Sequence, residues 1–204
     1  MKTKKIIYIT ETSLPSNSAN IINSLKFCDS LSKFKSLVFL IPNSKINKKK
    51  ILSNYNLSNR IRFKSIIDQE ISGKFSKILF LLKTISYVKK NCKNDDYIIG
   101  RSIVCSIFLS FLNKKNTLEL HHNITGLTKV LFKILMFTEF KKNVSFIFIN
   151  KALVNDLNVY KKKYIILDDG ADIITKKLKK KIIEKTCVYI GSFYQGKGIE
   201  IISE

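Results

Sequence analysis

Arginine is nearly missing from this chain of 204 residues. Arg60, Arg62 and Arg101 are three of 37 basic residues, and the rest are lysine. Readout of phosphates or base edges by bidentate forks relies on arginine. The net charge of +22 is therefore no sign of sequence-specific nucleic-acid recognition. Alanine is as scarce, whereas Lys, Ile and Asn abound, a bias that A/T-rich codons produce unaided. The other source of such charge is an anionic partner: nucleic acid, a phosphorylated substrate or acidic lipid. Seven Gly and two Pro exclude collagen-like and proline-rich segments. Cys28, Cys92, Cys105 and Cys187 form no CxxC pair. Their spacing argues against metal binding and fits free, buried thiols in a reducing cytosol.

Long apolar runs are also missing. The run at 6–9 is too short for a signal h-region, despite the lysines before it. The longest, 98–112, contains Arg101 and several serines, and none reaches the length needed to span a bilayer. The expected location is the cytoplasm, with at most peripheral contact at the inner face of the cytoplasmic membrane. The lysines of 45–50 and the basic, apolar segment 75–90 are the stretches that would attract anionic lipid. Their alternative reading is a solvated lysine surface and an ordinary buried helix stripe.

What is present is a 45% hydrophobic content, ample for a core. Short β-rich runs are expected at 5–10, 36–41, 61–65, 97–100, 117–121, 145–150 and 164–167. Most are continuous Ile, Val, Phe and Tyr, as strands covered on both faces require. Helices are expected at 20–33 (with Ser18 as N-cap), 75–90, 102–112, 127–137 and 151–157. The segments 102–112 and 127–137 are apolar nearly all round and are expected to pack inside. Residues 43–59 read as a loop or irregular helix. Strand–helix alternation predicts an α/β fold: a Rossmann-like, open, mostly parallel sheet with helices on both faces. This domain is expected over 1–172. Residues 173–204 are expected to be a linker and the first strand and turn of an incomplete second domain.

Candidate chemistry gathers after the predicted strands, at the edge where open α/β sheets bind ligands. The polar loop Thr10–Asn20 lacks a GxGxxG fingerprint. Free N–H groups at 16–19 could receive a phosphate or a sugar hydroxyl; the alternative is a plain loop with a serine cap. Arg101 either meets an acidic ligand group or pairs with Glu11 or Glu119. Glu119 and His121 share a strand face by period two, and His121 suits hydrogen bonding to a sugar or proton handling. His121 and His122 are the only histidines, and no further ligand cluster suggests a metal. Residues 186–204 read as a buried strand, a glycine turn bearing Lys197 and a helix start, a phosphate-holding arrangement.

Six blocks in order carry a resemblance across essentially the whole chain. They are Ser13-Leu-Pro-Ser-Asn-Ser-Ala-Asn20, Arg101 in Ile98-Ile-Gly-Arg-Ser102, and Glu119-Leu-His-His-Asn123. Then follow Phe146-Ile-Phe-Ile-Asn-Lys-Ala-Leu-Val-Asn-Asp-Leu157, Ile166-Leu-Asp-Asp-Gly-Ala-Asp172 and Tyr189-Ile-Gly-Ser-Phe-Tyr-Gln-Gly-Lys-Gly-Ile-Glu200. Together they resemble a GT-B-type glycosyltransferase of the retaining family 4, or group 1. The resemblance implies the amino-terminal half of a GT-B fold. It implies transfer of a sugar from a nucleotide-sugar to a glycan, lipid-linked or other envelope acceptor, with no metal or other cofactor. It further implies that His121 contacts the donor sugar, that Ser16, Asn17, Ser18, Arg101 and Glu119 line the cleft, and that Gly191 and Lys197 hold the donor diphosphate. Ser192 stands where many members carry a second cation. The family's acidic donor-gripping segment lies further downstream than residue 204. The chain thus reads as a fragment, a split gene or an interrupted reading frame, inactive by itself. Two other classes stay open: a basic nucleic-acid-binding α/β module, and a non-catalytic interaction domain derived from a transferase.

Overall fold

The chain alternates seven strands, most of them apolar runs, with helices, as the patterning requires. The computed structural model describes residues 4–43, 45, 47–67, 74–159, 163–168 and 170. In order these form β1 (Ile6–Ile9), α1 (Ala19–Ser32), β2 (Leu37–Ile41), α2 (Lys48–Asn54), β3 (Ile61–Ser65), α3 (Lys74–Asn91) and β4 (Tyr97–Gly100). Then come α4 (Ile103–Phe111), β5 (Asn116–Leu120), α5 (Gly126–Phe137), a 3-10 turn (Glu139–Asn143), β6 (Val144–Phe148), α6 (Lys151–Leu157) and β7 (Tyr164–Ile166). The strands form one sheet in the order β3-β2-β1-β4-β5-β6-β7. Every pairing is parallel, so the sheet is wholly rather than mostly parallel among the described residues. The chain divides into two units, Met1–Gly170 and Ala171–Glu204. The strand expected at 186–190, with Gly191 and Lys197, lies outside the described residues.

Period two in the strands sorts the core into two layers. Ile7, Ile9, Val38, Leu40 and Ile98 pack with Phe80 and Val88 of α3 and with Cys105 and Leu109 of α4. Ile6, Tyr8, Leu37, Phe39 and Ile41 face the other way, onto Ile21, Leu25 and Cys28 of α1 and Ile51 of α2. A third cluster joins Leu118, Leu120, Phe146 and Phe148 to Phe132 and Leu135 of α5. Covering both faces is what allows β1 and β2 to be apolar at every position.

Three expectations are corrected. Residues 43–59 contain a true helix, α2, capped by the Asn47 side chain accepting from Lys50 N–H at 3.0 Å. Helix α4 packs inside, but α5 does not: Leu127, Val130, Ile134 and Phe137 face solvent. In α3 the expected apolar stripe is Ile78, Leu81, Leu82, Ile85 and Val88, but the buried residues are Phe80, Thr84 and Val88, and Phe75, Ile78 and Leu82 are exposed.

The free thiols lie in the core. Burial pushes the Cys105 thiol up to about 12 and the Cys92 thiol up to about 11. Thiolates do not form there at neutral pH, so these side chains act as small apolar fillers. Thr84 is fully buried beside Cys105, and its Oγ1 has no well-formed hydrogen bond among the described residues. An unsatisfied hydroxyl in an apolar layer costs about 1–3 kcal/mol. Thr84→Val is therefore expected to raise unfolding stability by about 1 kcal/mol in urea denaturation; a loss of stability would show that the hydroxyl is satisfied by the thiol.

Candidate functional site

From β1 the chain builds leftward to β2 and β3, then crosses back to β4 on the other side of β1. The reversal places the loops after β1 and β4 side by side, at the edge beyond the carboxyl ends where open α/β sheets form their ligand crevice. Glu11, just past β1, accepts a hydrogen bond from Ser102 Oγ, just past β4, at 2.5 Å. Ser102 also caps α4 by accepting from Cys105 N–H.

Arg101 and Glu119 meet for a reason written in the register. Ile99 is paired with Thr117, so residues two further along each strand share a face and a level. The Arg101 guanidinium donates to Glu119 Oε1 from Nε at 2.9 Å and from Nη2 at 2.6 Å. The two side chains are only 8% and 6% exposed. The other carboxylate oxygen accepts from Tyr8 Oη at 2.6 Å. His121, two residues beyond Glu119, places Nε2 2.7 Å from Glu119 Oε1 and 2.7 Å from Arg101 Nη2. With its proton on Nε2 the ring donates to Glu119; without it, Nε2 accepts from Arg101. Either form fixes the ring at the mouth of the crevice, with the side chain 18% exposed.

Burial alone would push the Glu119 carboxyl up. Hydrogen bonding from His121, the charge and hydrogen bonds of Arg101, and the Tyr8 hydroxyl outweigh it and hold Glu119 below the ordinary carboxylate value. The same carboxylate, after burial, pushes the Tyr8 hydroxyl well above its usual range. The cluster is thus an ionised carboxylate held by donors from Arg101 and Tyr8, with His121 as a third when its proton is on Nε2.

Of the two readings for Arg101, pairing with Glu119 is the one realised. The remainder of its guanidinium grips the start of α1: Nη1 donates to the Asn20 carbonyl at 2.9 Å and to the Asn20 side-chain oxygen. That contact ties the loop carrying Ser16, Asn17 and Ser18 to the cluster. The loop is less open than its sequence suggests. Ser16 N–H donates to Tyr55 Oη at 2.8 Å, and Tyr55 Oη donates back to the Ser16 carbonyl at 2.8 Å. Ser18 N–H donates to Ser16 Oγ, and Ser18 Oγ caps α1. The free N–H groups expected at 16 and 18 are therefore engaged. Tyr8, Asn20 and Ser24, which stands 3.1 Å from Tyr8 Oη, belong to the cluster although sequence reasoning did not select them. Among the described residues, no three His, Cys, Asp or Glu side chains are placed to hold a metal ion.

The fold is that of a Rossmann-like α/β unit, with the Arg101–Glu119–His121 cluster beside the strand-order reversal. No protein-family model and no curated protein matches the chain. Among solved structures it is similar to that of Anabaena Alr3699/HepE in complex with UDP and glucose, with a TM-score of 0.53 and 13% sequence identity. The match covers 83% of this chain and 45% of that one, so the chain spans less than half of that protein's length.

Proposed function

We propose that this chain supplies the acceptor-side half of a GT-B-type glycosyltransferase of the retaining group. In this reading it transfers a sugar from a nucleotide-sugar to a glycan, lipid-linked or other envelope acceptor, without a metal. The observation that carries the proposal is His121, held by Glu119 and Arg101 at the mouth of the crevice where the strand order reverses. A fixed imidazole there can hydrogen-bond the donor sugar as charge develops at the transferring carbon. The Ser16–Ser18 loop forms the opposite wall. Gly191 and Lys197 hold the donor diphosphate, Lys197 offsetting charge on the departing phosphate. The fold shared with a UDP- and glucose-bound protein supports this reading.

In this proposal catalysis needs donor and acceptor positioned together, an effect worth roughly 7–11 kcal/mol of barrier. The 204 residues alone are expected to bind nucleoside diphosphates weakly and to turn over no nucleotide-sugar. Tight binding of UDP to the isolated chain in calorimetry would overturn that division of labour. With a donor-binding half supplied in cis or in trans, His121→Ala is expected to lower kcat/KM by about 10²–10³-fold. Lys197→Ala is expected chiefly to weaken donor binding. Turnover indifferent to His121→Ala would sink the assignment.

A further inference from the structure

Helix α5 presents an apolar stripe to solvent along its whole length. Leu127, Val130, Ile134 and Phe137 recur at three- and four-residue spacing and are 48–88% exposed. The opposite side of the helix, Phe132 and Leu135, is buried in the core. Twelve residues at helical rise make this stripe about 18 Å long. Contiguous exposed apolar surface of this kind marks a contact surface.

Charge decides which contact. Helix α5 holds no acidic residue, and Lys129 and Lys133 flank its stripe. Helix α3, on the same face of the sheet with α4 packed between, repeats the pattern. There Phe75, Ile78 and Leu82 are exposed, and Lys83, Lys89 and Lys90 follow on a helix that also lacks acidic residues. Apolar side chains flanked by lysines, with no carboxylates on either helix, match the surface of an anionic bilayer. A second copy of the chain would bring the same lysines against each other. Stacked nucleic-acid bases call for aromatic platforms, whereas five of these seven exposed residues are aliphatic. No helix among the described residues is long and apolar enough to cross a membrane, so the contact lies in the interface plane.

We propose that the outer face formed by α3 and α5 docks peripherally on an anionic lipid surface. The lysines of α2 are no part of it. Helix α2 packs on the opposite face of the sheet, through Ile51, and one flat bilayer cannot meet both faces at once.

Co-sedimentation of the full chain with vesicles tests this, using phosphatidylcholine alone and phosphatidylcholine with 30% phosphatidylglycerol. Binding is expected only to the anionic vesicles and is weakened, not abolished, by 0.5 M salt. Replacing Val130, Ile134 and Phe137 together by serine, or Lys129 and Lys133 by glutamate, should lower partitioning about tenfold or more. Replacing Lys48, Lys49 and Lys50 by serine should change it little. Circular dichroism and urea midpoints matching the parent chain show that each variant folds. Equal binding to both vesicle types, no binding, or loss only in the α2 variant would overturn the proposal. So would a dimer in sedimentation velocity that the serine variant dissociates, or an oligonucleotide that binds through the same residues in preference to lipid.

Discussion

Replacing Glu119 by glutamine is expected to cost the fold about 3–5 kcal/mol, because it leaves a buried guanidinium without its counter-charge. The Arg101 and Glu119 side chains are each less than a tenth exposed, and one carboxylate serves Arg101, Tyr8 and His121 together. A glutamine keeps one oxygen and turns an NH₂ donor toward a partner that is itself a donor. The large cost reflects the orphaned partner rather than the worth of the pair. Removing both charges, as in Arg101→Met with Glu119→Leu, should therefore recover most of it. Urea denaturation of the four proteins in the cycle measures this directly.

Acidification should reproduce the lesion. Glu119 in the folded protein titrates below its ordinary value of 4.5. A depressed folded value means that the ionised carboxylate contributes its full stability above about pH 4.5, and that this contribution fades as the pH falls through the lower, folded value. The gap between the parent chain and Glu119→Gln should be wide at pH 7 and should narrow below about pH 4.5. Parallel stability curves from pH 7 to 3 would mean that Glu119 gains nothing from its charge.

The second large effect is expected at Gly100, the last residue of β4. It is paired with Ile9 of β1. A Cβ added there would stand 2.3 Å from the Ile9 carbonyl oxygen and 3.0 Å from its carbon. The obstacle is backbone in the middle of a sheet, which has no rotamer through which to yield. Overpacking costs of about 1–3 kcal/mol should be reached at their upper end or passed. The neighbouring Arg101 N–H bond to the Ile9 carbonyl, 3.0 Å, would be stretched as well, carrying Arg101 away from Glu119. Gly126→Ala is the control. Its φ of +58° strains alanine, but open space surrounds it, so about 1–2 kcal/mol is expected. Equal losses at the two glycines in thermal or urea denaturation would show slack between β1 and β4 and would refute the close-approach argument.

The strands were legible because burial on both faces leaves an unbroken apolar run, as in Ile6–Ile9 and Leu37–Ile41. Helix α2 was not, since Lys48, Lys49 and Lys50 give its first turn no apolar periodicity and only Ile51 reaches the core. Helix α5 departs from expectation for the opposite reason. Apolarity all round normally means burial, and here half of it faces outward. Glu119 and His121 could be placed on one face by strand period. Tyr8 could not be picked out, because in an Ile-Ile-Tyr-Ile run a buried hydroxyl looks like one more core ring until its partner Glu119, 111 residues away, is brought across the sheet. The second role of Asn20, as anchor for Arg101, is likewise visible only once the strand order is known.

That strand order has a consequence for how the molecule is made. β1 leaves the ribosome before the other strands of this sheet, yet it sits mid-sheet, and one of its two neighbours is β4, with Ile6 opposite Tyr97. At roughly 5–20 residues per second of synthesis, β1 waits on the order of 5–20 seconds with one edge unpaired. Throughout that interval the nascent chain exposes a bare run of Ile-Ile-Tyr-Ile backbone, open to wrong partners. The crevice cannot exist before Gly100 and Arg101 arrive to close it, so its correct assembly depends on β1 being left alone until then.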